Sequence, residues 1–325
     1  MPDVLVIGTI RPEGLAVLEG HPDIRPHLLA EADRAGLVEA AGKAAAILVR
    51  TSRIDRGIIE AAPDLKVVSR HGVGYDNVDL DALNERRIPL AIAANANRVS
   101  VAEHALFMML ALAKQAVPHD AGVRGGNWAI RNRVAAFELA GRTLLLLGLG
   151  RIGREVALRA RAFGMKVEVL DPFVDDAGLA ASGCVRATGL EAALGRADVV
   201  SLHLPLSAAT RHIIDAEKLA LMRPEALLIN TARGGLIDEA ALARALAEER
   251  LGGAGIDVFE DEPPGADNPL LAAPRTLLSP HSAGVTDESM VRMATEAATN
   301  IVDVLDGRLD PAVIVNHAIV AGSAP

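Results

Sequence analysis

Short runs of apolar residues, rich in leucine and β-branched side chains, alternate with helical patterns along almost the whole chain. Such continuous apolar runs predict strands that are buried on both faces, because a half-exposed strand would alternate apolar with polar residues. Buried strands separated by helices are typical of parallel sheets covered on both sides. The sequence therefore predicts an α/β fold built from doubly wound parallel sheets. The predicted strands are residues 4–8, 46–50, 66–70, 89–93, 143–148, 166–171, 199–204, 226–230, 253–259 and 276–280.

The alternation is interrupted once, after residue 93. Ser100 and Glu103 form a possible capping box that starts a helix, apolar on nearly all sides, which continues to Pro118. Such a helix must be buried, either between two domains or against a second subunit. The last long helical pattern, residues 287–308, has no strand series of its own and is expected to return the chain to the first domain. We therefore predict a discontinuous domain of residues 1–98 and 288–325, and a second domain of residues 99–287.

Composition and charge exclude several classes of protein. With 325 residues, half of them apolar, the chain is expected to be globular rather than disordered. A net charge of −9 disfavours nucleic acid as a partner, because binding to phosphates needs a clustered basic surface. The single Cys184 cannot form an internal disulfide, the first ten residues lack a basic leader, and the apolar run 105–113 is too short for a bilayer. We expect a cytoplasmic protein with no membrane segment and no metal site.

The second series of strands begins with a glycine-rich loop, GLGRIG at residues 148–153. The pattern alone is weak, since it also fits a tight turn, but here it joins a predicted strand to a predicted helix. The next strand ends on Asp171, about twenty residues further along, as a dinucleotide-binding unit requires. Gly148 makes the turn, Gly150 lets a pyrophosphate approach, and Gly153 packs the helix against the strand. Asp171 would accept hydrogen bonds from the ribose hydroxyls and repel a 2′-phosphate, so the sequence predicts NAD as cofactor.

Three polar residues follow the carboxyl ends of later predicted strands. Arg233 follows the strand 226–230, Glu262 lies just beyond 253–259, and His281 follows 276–280. Ligands of open α/β sheets bind at this edge. Each residue alone also fits a structural role: a capping or surface-paired arginine, a solvated loop acid and an ordinary histidine. Their coincidence along one edge favours a site.

The chemistry of these three residues fits hydride transfer between a 2-hydroxy acid and a nicotinamide. His281 would accept the hydroxyl proton, or donate it in the reverse direction. Glu262 would stabilise the imidazolium and orient the ring. Arg233 would bind the substrate carboxylate and polarise the adjacent carbonyl, a role suited to a planar fork of donors.

With these residues in place, the chain resembles the D-isomer-specific 2-hydroxyacid dehydrogenase family, in particular its phosphoglycerate dehydrogenase-like branch. The resemblance runs over nearly the whole length, through VRTSRID, SRHGVGYDNVDLDAL, SVAEHAL, LLGLGRIGREVALRARAFGM, SLHLPLSAATRHII, INTARGGLIDEAAL, GAGIDVFEDEPP and SPHSAG. It implies two Rossmann-like domains, a homodimer joined through the cofactor domains and the helix after Ser100, and Arg233, Glu262 and His281 as catalytic residues. The cofactor-binding residues that it implies, together with those of the glycine loop, are Gly148, Gly150, Arg151, Ile152, Gly153, Asp171, His203, Leu204, Pro205, Thr210, Thr231, Ala232, Arg233, Asp257, His281, Ala283 and Gly284.

The resemblance also implies a substrate site. The backbone of Val73 and Gly74 would hold the substrate carboxylate, with Arg233 and His281 acting at the reacting centre. His71 is close in sequence to Val73 and Gly74, at a position where the family more often has a small residue. Its side chain either contacts the substrate or forms hydrogen bonds with nearby backbone groups. The chain ends soon after residue 308, so no C-terminal regulatory domain is expected.

The sequence leaves the particular substrate open. A phosphorylated 2-keto acid needs a second cationic group, for which Arg50, Arg53, Arg131 and Arg133 are candidates, although most such residues are solvated surface charges. We predict 3-phosphoglycerate and its keto acid as the leading pair, with Arg50 as a substrate residue. Hydroxypyruvate or glyoxylate reduction is the alternative, and an NAD-sensing corepressor is an alternative of another class. Formate dehydrogenase is disfavoured, because that relative pairs its histidine with glutamine rather than with a residue like Glu262.

Overall fold

The computed structural model describes residues 1–29, 33–133 and 136–322. Its contacts divide the chain into two compact units. Unit 1 comprises residues 1–97 and 285–325, and unit 2 comprises residues 98–284. Each unit contains its own sheet, and both sheets are parallel throughout their named strands. The prediction of two doubly wound α/β domains, the first of them discontinuous, is confirmed.

Within the described residues, unit 1 contains a five-stranded sheet of order β2-β1-β3-β4-β5. Its strands are β1 (Asp3–Ile7), β2 (Arg25–Leu29), β3 (Ala44–Val49), β4 (Val67–Arg70) and β5 (Leu90–Ile92). Its helices are α1 (Pro12–Glu19), α2 (Arg34–Ala41), α3 (Arg56–Glu60), α4 (Leu80–Glu85) and, after the chain returns, α12 (Asp287–Leu305) and α13 (His317–Val320). Helix α12 begins with a capping box of Thr286 and Ser289 and packs closely on α1, because Gly14 presents no side chain to Ala294.

Unit 2 contains, among the residues described, a seven-stranded sheet of order β12-β11-β10-β9-β6-β7-β8. Its strands are β6 (Thr143–Leu147), β7 (Lys166–Leu170), β8 (Val185–Arg186), β9 (Val199–Leu202), β10 (Leu227–Asn230), β11 (Gly253–Ile256) and β12 (Thr276–Leu278). Its helices are α5 (Arg98–Ala113), α6 (Ala116–Arg124), α7 (Arg151–Ala162), α8 (Asp176–Ala181), α9 (Leu190–Leu194), α10 (Ala216–Leu221) and α11 (Glu239–Ala247).

The strand order creates a switch point in each sheet. In unit 2 the chain leaves β6 toward β7 on one side and later places β9 on the other side. In unit 1 it places β2 and β3 on opposite sides of β1. Loops diverge at such points, so the carboxyl ends of β6 and β9, and those of β1 and β3, are the places where an α/β sheet opens a crevice for a ligand.

Two strands that the sequence pattern did not predict are edge strands. Strand β2 has a mostly exposed pattern and β8 is exposed at both residues. Neither is buried on both faces, so neither carries the continuous apolar run that marks the central strands. The ten predicted strands are all present, and β3 and β9 to β11 are buried along their whole length.

The helix after β5 starts earlier than its sequence pattern predicted, and the prediction of a capping box at Ser100 is wrong. Helix α5 begins at Arg98, so Ser100 lies inside it and is buried. The helix also ends at Ala113 rather than continuing to Pro118. Gln115 adopts a left-handed conformation, and α6 then begins at Ala116. Pro118 is tolerated because it lies in the first turn of α6, where a backbone N–H has no partner inside the helix.

Helix α5 packs on the strands of unit 2 through a small residue. A Cβ atom at Gly255 in β11 would lie 2.9 Å from the Cβ of Met108 in α5, so glycine permits the close approach. Met108 and Met109 are fully buried, whereas the side chain of Phe107 is half exposed. Across the described ranges, no helix is long and apolar enough to cross a membrane.

Candidate active site

The loop of residues 148–153 connects β6 to α7 at the switch point of unit 2. Gly148 has φ +97°, and a Cβ there would lie 2.5 Å from the carbonyl oxygen of His203, which follows β9. A Cβ at Gly153 would lie 2.3 Å from the Gly148 carbonyl oxygen. By contrast, a Cβ at Gly150 would meet nothing within 4 Å. The loop is therefore tight on the protein side and open beside Gly150, the N-cap of α7, which offers no side chain to the first N–H groups.

Asp171, the residue after β7, is held against this loop by backbone donors. One carboxylate oxygen accepts the Leu149 N–H at 2.8 Å and the other accepts the Phe173 N–H at 2.9 Å. Each carboxylate oxygen has a further lone pair for an additional donor. The carboxylate is thus fixed next to the glycine loop, in the position from which a dinucleotide-binding unit contacts a ribose.

A second group of predicted cofactor residues lies on the loops after β9 and β10. Ser201 Oγ and His203 Nε2 are 2.8 Å apart, and burial lowers the pKa of His203 to about 4, so its imidazole is neutral at pH 7. Thr210 Oγ1 donates to the Pro205 carbonyl at 2.7 Å and thereby closes the turn between them. Thr231 Oγ1 is buried and has no hydrogen-bond partner among the described residues, which leaves a polar atom for a ligand to satisfy.

The open space at Gly150, the fixed Asp171 carboxylate and the unsatisfied Thr231 hydroxyl all fit a bound dinucleotide. The N–H groups at the start of α7 suit a pyrophosphate, the carboxylate suits ribose hydroxyls, and the hydroxyl suits a polar group of the nicotinamide end. The residues of unit 2 therefore fit NAD.

Arg233 lies on a turn that is shaped by residues not selected from the sequence. Asn230, the last residue of β10, accepts the Ala232 N–H at 3.0 Å and donates to the Arg233 carbonyl at 2.8 Å. Gly234 is required by close packing, because a Cβ there would lie 1.9 Å from the Phe259 carbonyl carbon. The turn that carries Arg233 is therefore in direct contact with the loop that leads to Glu262.

The loop that carries Glu262 is anchored by buried groups. Glu239, which is 9% exposed at the start of α11, accepts the Glu260 N–H at 2.7 Å and the Asn268 side-chain amide at 2.6 Å. Arg211 also forms an ion pair with Glu260. Glu239 was not selected from the sequence. An acidic residue at the start of a helix is equally well explained by a favourable interaction with the helix dipole.

Glu262 and His281 form a direct pair. Glu262 Oε2 lies 2.7 Å from His281 Nδ1, and Glu262 Oε1 accepts the Phe259 N–H at 3.1 Å. Burial alone would raise the pKa of Glu262, but the hydrogen bonds from His281 and Phe259 outweigh it. The positive charge of Arg233 acts in the same direction, so the pKa of Glu262 lies below its ordinary value. The carboxylate is ionised at neutral pH, as a partner for an imidazolium must be.

The imidazole of His281 is open to a ligand on one side. Its side chain is 50% exposed, and its Nε2 has no hydrogen-bond partner in the part of the chain that the structure describes. The backbone has φ +51°, a left-handed conformation that non-glycine residues seldom adopt and that concentrates at functional sites. Glu262 thus holds Nδ1, which leaves Nε2 for proton exchange.

Asp257 fixes the loop from Ser279 to Gly284. Its side chain is 1% exposed and accepts the Ser279 hydroxyl at 2.5 Å and the backbone N–H groups of Ser282 and Ala283 at 2.9 and 3.0 Å. Its carbonyl accepts the His281 N–H at 2.7 Å. The sequence resemblance assigned Asp257 to NAD alone. The structure shows that its carboxylate also anchors the loop, a role with no local sequence signal because the partners lie over twenty residues away.

The predicted substrate residues of unit 1 cluster at the carboxyl ends of neighbouring strands. Arg50 follows β3 and Arg70 ends β4, and both charges act on the buried His71, whose pKa is lowered to about 4, mainly by burial. Arg70 donates to the Asn77 side chain and to the His71 carbonyl. Arg50 is partly buried as a residue and has no carboxylate or carbonyl partner among the described residues. Val73 and Gly74 follow directly after this cluster.

The other candidate arginines are placed differently. Arg53 is exposed in the loop after β3, in unit 1. In unit 2, the guanidinium of Arg131 lies 5.5 Å from the ring centroid of Trp128, a cation–π distance, and Arg133 is exposed. Of the four arginines, only Arg50 is both partly buried and located at the switch point of a sheet. A Cβ atom at Gly8, the residue after β1, would lie 3.5 Å from the Cβ of Arg50.

Comparison with known proteins identifies the family. Residues 106–283 match the model of the D-isomer specific 2-hydroxyacid dehydrogenase, NAD binding domain. The chain is 42% identical to (S)-sulfolactate dehydrogenase of Chromohalobacter salexigens, over 93% of this chain and 97% of that one. It is 39% identical to D-3-phosphoglycerate dehydrogenase of Methanocaldococcus jannaschii, over 95% of this chain and 58% of that longer one. Among solved structures, D-lactate dehydrogenase of Aquifex aeolicus, complexed with NAD and lactic acid, has a TM-score of 0.86 at 30% identity, covering 96% of this chain and 98% of that one.

The chain belongs to the D-isomer-specific 2-hydroxyacid dehydrogenase family. It is an NAD-dependent oxidoreductase that acts on the CH–OH group of 2-hydroxy acids. The resemblance drawn from the sequence motifs and the expectation of NAD as cofactor are both confirmed.

The fixed carboxylate of Asp171 leads to a prediction about cofactor preference. We expect the wild-type protein to use NADH in preference to NADPH, because the carboxylate would repel a 2′-phosphate. Asp171→Asn keeps an oxygen acceptor while removing the charge, so it should reduce the NADH-to-NADPH ratio of kcat/KM by about tenfold or more. Steady-state kinetics with both cofactors measures the ratio. Asp176→Asn, on the exposed start of α8, is the matched control, and equal kcat/KM for both cofactors in the wild type would overturn the assignment.

Proposed function

We propose that the protein interconverts a D-2-hydroxy acid and its 2-keto acid, with His281 as the acid and base, Glu262 as its partner and Arg233 as the carboxylate clamp. The observation that carries this assignment is the 2.7 Å contact between Glu262 Oε2 and His281 Nδ1 beside the turn of Arg233. NAD, when bound, supplies the hydride acceptor or NADH the donor. The remaining steps belong to the side chains of the protein.

His281 exchanges the proton through Nε2. In the direction of oxidation the neutral Nε2 takes the hydroxyl proton, and in the direction of reduction Nε2–H gives it back to the carbonyl oxygen. Either way the ring passes through the imidazolium form, and the ionised Glu262 stabilises that charge at Nδ1. Because Glu262 also accepts the Phe259 N–H, the carboxylate is fixed and orients the ring.

Arg233 binds the substrate carboxylate in this proposal. A guanidinium offers two parallel donors to a carboxylate, which sets the orientation of the reacting carbon as well as adding affinity. The hydrogen bonds of the Asn230 side chain and the close packing of Gly234 hold the backbone of Arg233 in place. We also propose that unit 1 is the substrate domain, with the backbone of Val73 and Gly74 as carboxylate-binding groups, and that unit 2 is the cofactor domain.

The proposed substrate carries a second anionic group on the carbon next to the hydroxyl-bearing one. Two relatives are named for substrates of this kind, sulfolactate and 3-phosphoglycerate, which share a carboxylate, a 2-hydroxyl and an acidic group at the third carbon. Arg50 is the group assigned to this second anion. Arg50 is partly buried and forms no ion pair with another described residue, so a ligand phosphate or sulfonate would supply a partner for its charge.

The test compares three keto acids with NADH: phosphohydroxypyruvate, sulfopyruvate and hydroxypyruvate. We expect at least one of the two doubly anionic acids to exceed hydroxypyruvate in kcat/KM by about tenfold or more, because one charge-assisted hydrogen bond contributes about 1.5–3 kcal/mol. Arg50→Gln should reduce this advantage and leave hydroxypyruvate nearly unaffected. Arg25→Gln, on the exposed edge strand β2, is the control.

Other outcomes separate the alternatives. A wild-type preference for hydroxypyruvate or glyoxylate would assign the protein as a reductase of unphosphorylated acids and refute the role of Arg50. Tight NADH binding without turnover of any 2-keto acid would favour the corepressor-like alternative.

We also propose that the protein is a cytoplasmic homodimer. Within unit 2, α6 and the following 3₁₀ turn of residues 128–132 contain no buried residue and expose Val117, Val123 and Trp128. Apolar side chains grouped along one segment favour contact with a second copy over contact with water. Light scattering on the purified enzyme used for the keto-acid assays measures its mass.

A further inference from the structure

Another histidine of unit 2, His104, contacts the loop that carries His281. His104 Nε2 is 2.9 Å from Ser279 Oγ, and Ser279 Oγ is 2.5 Å from Asp257 Oδ1. His104 Nε2 is also 3.8 Å from the same carboxylate oxygen. His104 precedes the residues that match the family model, and nothing in the proposed mechanism uses it.

The packing of α5 on β11 places His104 at this point. Gly255 lets Met108 approach β11 closely, and His104 lies four residues before Met108, on the same face of the helix. Asp257 directly follows Ile256, the last residue of β11. The helix therefore presents His104 to the carboxyl end of β11, where Asp257 and Ser279 meet.

The positions of the protons in the hydrogen bonds that join His104, Ser279 and Asp257 follow from the chemistry of these groups. The Ser279 hydroxyl donates its proton to the Asp257 carboxylate. Since that proton is committed, the Ser279 oxygen accepts from His104, which must carry its proton on Nε2. The order is His–Ser–Asp, with serine in the middle. A hydrolytic triad needs the imidazole between serine and carboxylate, so this cluster is not a nucleophile site.

Both partners of His104 hold the backbone of His281. The His281 N–H donates to the carbonyl oxygens of Asp257 and Ser279, at 2.7 and 3.1 Å. The backbone conformation at His281, φ +51°, must be maintained by such surrounding contacts, because an isolated residue would leave it. A donor that fixes the Ser279 hydroxyl therefore helps to fix the position of the His281 ring.

We propose that His104 is a positioning residue for the acid/base histidine, acting through Ser279 and Asp257. This inference rests on the proposed role of His281 in 2-hydroxy acid dehydrogenation. Loss of the Nε2 donor frees the Ser279 hydroxyl to rotate away from Asp257 and loosens the loop. A displacement of about 1 Å at a reacting group costs on the order of 100-fold in rate, so we expect kcat to fall by about 10- to 100-fold.

The experiment compares His104→Leu with His104→Gln, in the full-length enzyme. Leucine fills the space without a donor, whereas the glutamine side-chain amide can donate to Ser279. We expect the leucine variant to lose kcat with KM for the keto acid changed by no more than about twofold, because the carboxylate clamp is elsewhere. The solvent deuterium isotope effect on kcat should rise as proton transfer becomes limiting. The glutamine variant should recover most of kcat.

Further variants and a spectroscopic measurement complete the design. Ser279→Ala should lower kcat to a similar extent, and adding His104→Leu to it should have little further effect, since both act through one contact. His317→Leu, in α13 of unit 1, is the matched control for the chemical change. In the wild-type protein, the imidazole ¹⁵N signals of His104 should show the Nε2–H tautomer, an observation that needs no turnover and no folded variant.

Each outcome decides between the possibilities. A leucine variant with wild-type kcat, a glutamine variant no better than leucine, or a His104 protonated on Nδ1 alone would overturn the positioning role. A merely structural role would lower the melting temperature and the active fraction without changing the solvent isotope effect. If the wild-type enzyme turned over no 2-keto acid, the proposed function would fail first, whereas an active wild type with an unaffected leucine variant would refute the inference alone.

Discussion

His281→Ala is expected to lower kcat/KM for the best keto acid by about 10²–10⁴-fold, the usual contribution of a positioned acid or base. The loss should fall mainly on kcat, because the role proposed for His281 is proton exchange in the chemical step. NADH should still bind, since the groups that we assign to its phosphates and ribose lie elsewhere, on residues 148–153 and Asp171. Steady-state kinetics gives the loss, and fluorescence titration gives the dissociation constant of NADH.

The matched control for this variant is His27→Ala. His27 lies 3.2 Å from Asp3 on the exposed edge of unit 1, so it is also a histidine paired with a carboxylate. We expect this variant to retain wild-type kcat/KM. An alanine variant at position 281 with near-normal turnover would show that another group transfers the proton.

Arg233→Ala is expected to raise KM and lower kcat together, because the proposed carboxylate clamp would both bind the substrate and orient it for reaction. Two charge-assisted hydrogen bonds of about 1.5–3 kcal/mol each correspond to a loss of about 10²–10⁴-fold in kcat/KM. Arg233→Lys should recover only part of the loss, since lysine keeps the charge but not the planar fork. Steady-state kinetics with hydroxypyruvate and with a doubly anionic keto acid measures the changes in KM and in kcat.

The lysine variant also separates two roles of Arg233. The positive charge of Arg233 contributes to keeping Glu262 ionised, and a lysine at this position preserves that contribution. Arg196→Ala, an exposed arginine paired with Glu168 in unit 2, is the control for removal of a guanidinium. Wild-type KM in the alanine variant would contradict the clamp, and full recovery by lysine would contradict the need for a fork.

The central strands of both sheets were predictable because burial on two faces leaves a direct mark on the sequence. A continuous run such as LLIN in β10 has no alternation, and its residues are all buried. The edge strands β2 and β8 bear no such mark, because one side of each faces water. The start of α5 was mispredicted for a related reason. Ser100 fits a cap by residue type, but it is buried inside the helix, and only packing decides between the two.

The structure of the glycine loop and the place of Asp171 beside it could be predicted from the amino-acid sequence alone, because this backbone geometry is encoded locally. A strand, a turn at Gly148, a helix start and an acid after the next strand lie within residues 143–171. Short-range spacing of this kind survives in any fold that contains the unit. The tertiary structure adds the physical reason for each glycine, such as the 2.5 Å approach of the His203 carbonyl to the Cβ position of Gly148.

The sequence by itself determined which residue types stand at the ends of β10, β11 and β12, since strand patterns place Arg233, Glu262 and His281 there. Only the tertiary structure decided that Glu262 and His281 meet at 2.7 Å, and that Asn230, Glu239 and Asp257 hold the three loops. These contacts join residues of different loops, or backbone groups that turn toward a side chain only when the loop is folded. The contacts of Glu262, Glu239 and Asp257 depend on strand order and on close packing such as that at Gly234, and neither has a local pattern that a sequence could display.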